Sequence, residues 1–85
     1  MYYVYVLYGR TYNRFYIGYT DNLQRRVKEH KFGKSRTTRL MGDLYLIYYE
    51  ASLSKKDALI REKQLKTGFG RGYLRRRLKY SIEDD

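Results

Sequence analysis

Tyr2-Tyr3-Val4-Tyr5-Val6-Leu7-Tyr8, then Phe15-Tyr16-Ile17-Gly18-Tyr19, then Asp21-Asn22-Leu23-Gln24-Arg25-Arg26-Val27-Lys28-Glu29-His30 is the stretch whose reading decides the fold. The first run is β-branched and aromatic, with Leu7 its one helix former, and reads as a strand. Alternation puts Tyr3, Tyr5 and Leu7 on one face and Tyr2, Val4, Val6 and Tyr8 on the other, so both faces are expected to be partly covered. Residues 9–14 read as a turn, and the shortness of that link makes the second strand antiparallel to the first. Gly18 inside the second strand has two readings: a bulge or weak strand end, or a gap that admits a backbone or a phosphate. Thr20 or Asp21 is the expected cap of a following helix. On it Leu23, Val27 and His30 form one stripe, Arg26 stands one turn before His30, and Arg25 falls off that side.

Outward from this stretch, Gly33 is a candidate helix stop, and residues 34–42 are a basic loop containing Lys34, Arg36 and Arg39. Residues 44–50 make a third strand, apolar enough to be expected covered on both faces. Ser54 and Asp57 form a capping-box pattern, which opens a helix running to about Lys66 with Ala58, Arg61 or Glu62, and Leu65 along its buried stripe. Residues 67–72 read as a glycine-rich break. Residues 73–80 read as a short basic helix with Leu74 and Leu78 inward, and residues 81–85 as an acidic, frayed tail. The expectation is one α/β domain over residues 1–80: a small three-stranded, mainly antiparallel sheet flanked by helices.

Nineteen Lys and Arg against nine Asp and Glu leave a net charge of +10 on 85 residues. Charge of that density points to a polyanion, and nucleic acid before membrane, because no apolar run approaches the ~18 residues of a membrane span. With no cysteine, disulfides and thiolate metal sites are excluded, and a cytoplasmic location is expected. Between residues 61 and 79 there are eight basic residues and one acid, Glu62, which composition alone makes a salt-bridge partner.

Spacing changes that balance. Tyr3-Val4-Tyr5 is followed after ten residues by Tyr16-Ile17-Gly18, then by Arg26, His30 and the Glu62 helix. The ordered set resembles the GIY-YIG nuclease superfamily over nearly the whole chain, in particular small single-domain bacterial members related to the N-terminal nuclease half of the incising component of bacterial excinuclease. The resemblance implies a DNA endonuclease that hydrolyses phosphodiesters with Mg²⁺ or Mn²⁺ on Glu62, is structure-directed, and acts in repair or recombination. It implies catalytic roles for five residues. Tyr5 or Tyr16 would orient and deprotonate the attacking water, which calls for a phenol pKa well below ~10. Arg26 would stabilise transition-state charge, and His30 would help with protons or hold the phosphate. DNA is the expected partner, with RNA left open, no small-molecule cofactor and no membrane. Candidate backbone contacts are Gly18, Lys34, Arg36, Arg39, Arg71, Arg75 and Arg76. Glu50 is read as a strand-end charge.

Three departures from the family pattern stand out. Tyr3-Val4-Tyr5 lacks the Gly-Ile. Residues 37–40 read Thr-Thr-Arg-Leu where relatives place a tyrosine, histidine or lysine. No asparagine follows Asn22. The last two keep a second reading open, a non-catalytic nucleic-acid-binding module on the same scaffold. A third is a protein adaptor, which would show no salt-sensitive DNA binding.

Overall fold

A computed structural model describes residues 1–31 and 44–83. Its elements are β1 (Tyr2–Gly9), β2 (Arg14–Thr20), α1 (Leu23–Lys31), β3 (Leu44–Ser52), α2 (Lys55–Leu65), α3 (Gly68–Arg77) and α4 (Lys79–Glu83). The strands form one sheet in the order β2-β1-β3, antiparallel in both pairings. Among the described residues no helix is long and apolar enough to cross a membrane.

β1 is the central strand, and its alternation divides the molecule. Val4 and Val6, with Ile17 from β2, turn to Ala58 and Leu65 of α2 and to Leu74 and Leu78 at the end of α3; these seven are the buried apolar cluster. Burying a leucine such as Leu65 or Leu74 stabilises the fold by about 2 kcal/mol. Tyr5, Leu7 and Tyr16 occupy the opposite face, toward α1. Both faces of β1 are therefore covered, as the sequence predicts. The covering of β3 is not as predicted. β3 lies at the sheet edge with Tyr49 half-exposed, and its register steps between Val6 and Leu7, so that Ile47 is an extra residue against β1.

Three local expectations are corrected. Neither Thr20 nor Asp21 caps α1. The Asn22 Oδ1 accepts the Arg25 amide at 3.1 Å, while Thr20 Oγ1 accepts the Asn22 amide and so shapes the approach to the helix. The glycine-rich stretch is not a break but the first turns of α3. Thr67 is its cap, with Oγ1 accepting the Gly70 amide at 3.1 Å and donating to Gln64 O at 2.7 Å. A Cβ on Gly70 would lie 2.4 Å from the Gln64 and Leu65 backbone, so glycine is what lets α3 start against the end of α2. α3 then ends at Arg77 rather than Tyr80, and α4 carries the chain on to Glu83. The Ser54 cap is as expected, accepting the Asp57 amide.

The β1–β2 turn is pinned from outside the hairpin. Asn13 sits at φ 52°, a left-handed conformation that asparagine tolerates better than most residues. Its side-chain oxygen accepts from the Tyr8 hydroxyl and from Arg75 Nη1, and its carbonyl accepts from Arg75 Nη2 at 3.0 Å. The Arg75 guanidinium also stacks over the Phe15 ring.

Candidate active site

Tyr5 is the centre of the site. It lies in the middle of β1, 1% exposed, directly across from Gly18 of β2. Its ring passes over Gly18: a Cβ there would meet the Tyr5 hydroxyl oxygen at 2.3 Å. The gap at Gly18 is thus filled by a phenol. This corrects the expectation that a phosphate approaches there, and Gly18 is buried beneath Tyr5 rather than offered to a ligand.

α1 brings two groups to the Tyr5 hydroxyl. Arg26 Nε donates to it at 3.2 Å, and His30 Nε2 lies 2.9 Å away. Both arrive because Arg26 and His30 are one helical turn apart, as read from the sequence. The other end of the Arg26 fork is steadied by Glu29, with Nη1 to Oε2 at 3.2 Å. Tyr16 completes the cluster, its ring 5.0 Å from that of His30 and 6.4 Å from that of Tyr5. The Tyr16 side chain is half-buried.

Glu62 comes from α2, between buried Ala58 and Leu65 on the same side of that helix. Its side chain is 18% exposed, and its carboxylate is paired at 3.2 Å with Lys66, a side chain still half in solvent. Among the described residues no three His, Cys, Asp or Glu side chains gather as a metal-binding group. One half-buried carboxylate, held among the described residues by a flexible ammonium, fits an ion that keeps most of its waters. Mg²⁺ binds in this manner, through one or two carboxylates plus substrate phosphate oxygens.

The electrostatics revise one expectation. The Tyr5 phenol is pushed above its ordinary value, first by burial and then by the negative charges of Tyr16 and Glu62. The Arg26 hydrogen bond and charge pull the other way and lose. With no cation beside it, a standing phenolate on Tyr5, one of the two expected bases, is disfavoured. His30 moves below its ordinary value because it is buried and faces Arg26, with Glu29 opposing. It is neutral at pH 7. Arg26, charged in any case, is pushed further above its ordinary value, first by the bond to Tyr5.

The candidate backbone contacts separate. Arg71 and Arg76 are exposed on α3. Arg75 is exposed but committed to Asn13 and Phe15. Lys34, Arg36 and Arg39 lie outside the described residues. Glu50 is not a loose strand-end charge: Arg61 grips it with Nε and Nη2, both at 3.0 Å, and the Tyr48 hydroxyl donates to it at 2.9 Å. This neutralised group holds α2 to β3, and eleven residues of separation hid it from sequence reading. Glu29 was also missed, although its i, i+3 spacing from Arg26 was a usable signal.

Comparison with known proteins shows the family of the chain. A family model described as the GIY-YIG catalytic domain matches residues 1–78. A UPF0213 protein of Staphylococcus haemolyticus is 36% identical over 66 residues, covering 76% of this chain and 79% of its own. A UPF0213 protein of Clostridium perfringens is 37% identical over 67 residues (78% and 71%), and one of Limosilactobacillus reuteri 43% over 68 (76% and 70%). No solved structure matches.

Proposed function

Since the chain belongs to the GIY-YIG catalytic-domain family, with a nuclease-type domain, we propose that it is a divalent-metal-dependent DNA endonuclease. The observation that carries this reading is the Tyr5 hydroxyl, held between a charged arginine and a neutral histidine within the field of a half-buried carboxylate. Glu62 would hold the cation, Mg²⁺ or Mn²⁺, which when bound supplies charge to polarise the scissile phosphate and ease departure of the leaving oxygen.

The chain's own groups do the rest. Arg26 keeps one end of its fork on Tyr5 and another on Glu29, leaving Nη2 for a phosphate oxygen whose charge grows in the transition state. Tyr16 orients the attacking water. Tyr5 acts as a relay rather than as a phenolate: as its oxygen takes the proton of the water, its own proton passes to His30 Nε2 at 2.9 Å. This fits both directions of shift, since a neutral phenol needs an acceptor and a neutral imidazole is one. Contacts to phosphates would supply most of the affinity, and a role in repair or recombination of branched DNA follows the same reading.

The test is a cleavage assay on branched and single-stranded DNA with Mg²⁺ or Mn²⁺, comparing the parent with Glu62→Ala and Arg26→Ala. Cutting by the parent and at least a ~100-fold loss in both variants is the expected result. Variants that cut as well as the parent would sink the proposal. The second reading, a binding module without chemistry, is favoured by the absence of any asparagine after Asn22. It predicts salt-sensitive binding by a parent that cuts nothing.

A further inference from the structure

Some arginines described in the molecule are matched by carboxylates. Arg25 meets Asp21 and Glu29, Arg26 meets Glu29, and Arg61 meets Glu50. Three others line a cleft of about 410 Å³ between the β1–β2 turn and α3, whose lining is Asn13, Arg14, Phe15, Arg71 and Arg75 with no acidic side chain. Among the described residues the Arg14 and Arg71 side chains have no hydrogen-bond or ion-pair partner. Arg75 is fixed by two bonds to Asn13 and by its stack on Phe15. Of the five N–H donors of a guanidinium, those two bonds leave three. Three guanidinium groups, one of them already immobilised, thus converge on a concave space without a counter-charge. Such a space concentrates anions, and the fixed Arg75 lowers the ordering cost of binding one.

We propose that this cleft binds a backbone phosphate of the nucleic-acid substrate, next to the scissile one. The inference rests on the endonuclease reading and deepens it by giving the strand a path. Arg14 and Tyr16 point to the same face of β2, two residues or about 7 Å apart. A strand laid along the free edge of β2, with its scissile phosphate at Tyr5, Tyr16 and Arg26, therefore runs off over the turn and into the cleft. A contact to a backbone phosphate carries no sequence information, so the cleft adds affinity and register rather than base readout. Arg14 and Arg71 are the contacting residues; Arg75 positions the turn and adds charge.

The test is the salt dependence of binding to a short labelled single-stranded DNA and to a branched DNA, measured by fluorescence anisotropy. Three proteins are compared: the parent, Arg14→Ala/Arg71→Ala, and Lys55→Ala/Lys56→Ala, which loses equal charge from the exposed start of α2. The cleft double variant should bind about 10-fold more weakly at fixed salt, with its log–log salt slope reduced by about 1. The lysine variant should stay within about 2-fold of the parent. Equal losses in the two double variants, an unchanged slope for the cleft variant, or no binding by the parent even at low salt would each overturn the assignment. Glu62→Ala separates the two claims: it should lose cleavage and keep the parent's slope. If the parent cuts nothing while the cleft variant still lowers the slope, the nuclease reading fails and the phosphate site stands.

Discussion

Gly18 and Tyr5 act as one unit. The ring needs the room that the missing side chain gives, and the hydroxyl can meet Arg26 and His30 only from that position. Gly18→Ala should therefore cost activity of the order of 100-fold through displacement of the phenol, although nothing polar is removed. In Tyr5→Phe the same alanine should add little, and a double-mutant cycle on cleavage rate measures that coupling. His30 gives a second expectation. It faces Arg26 and Glu29 from its own helix and Tyr5 and Tyr16 from the sheet, and its folded pKa lies below the unfolded 6.5. The unfolded chain then binds the proton more readily, so stability from this group is complete above about pH 6.5 and is lost as pH falls toward the folded value. Cleavage that depends on neutral His30 should hold level down to about pH 6.5 and fall only below it. A pH–rate profile with its acid limb centred above about 6.5 would show that His30 is not the acceptor.

Among the elements, α3 is where reading by composition went astray. Glycine costs about 1 kcal/mol against alanine inside a helix, so three in five residues look like a stop. Their cost is offset by something composition does not show, the close approach of the Gly70 backbone to α2. The distinction is measurable. Gly70→Ala forces a Cβ to 2.4 Å from backbone and should lower the melting temperature by several degrees. At Gly72 the added Cβ would meet only the flexible tip of Arg76 at 3.4 Å, so Gly72→Ala should raise it, by roughly 0.5–1 kcal/mol or about 4 °C. The strands and α1 were legible because their signals are local. β-branched runs, a short link, and a four-residue step from Arg26 to His30 carry their own geometry. What required coordinates was long-range: the Arg61 grip on Glu50, the Arg75 hold on Asn13, and the burial that raises the Tyr5 phenol when motif logic wants it lowered.

At the scale of the molecule, +10 on 85 residues works against folding and for binding. Added salt screens the self-repulsion of the compact state and also weakens phosphate contacts. Between about 50 and 200 mM salt the melting temperature should therefore rise while DNA affinity falls; thermal melts and anisotropy in matched buffers test both signs. The pairing of Tyr5 with Gly18 matters at this scale as well. A hairpin that slips by one residue sets Ile17 or Tyr19 opposite Tyr5, and a slip of two sets Tyr16 or Thr20 there. In none of these arrangements is there space beneath the ring. On the proposed mechanism a mispaired molecule cannot assemble a working Tyr5, and catalysis would double as an inspection of strand alignment. The specific activity of a preparation would then count the molecules that folded in register, and a misfolded copy would lose cutting without losing its basic surface.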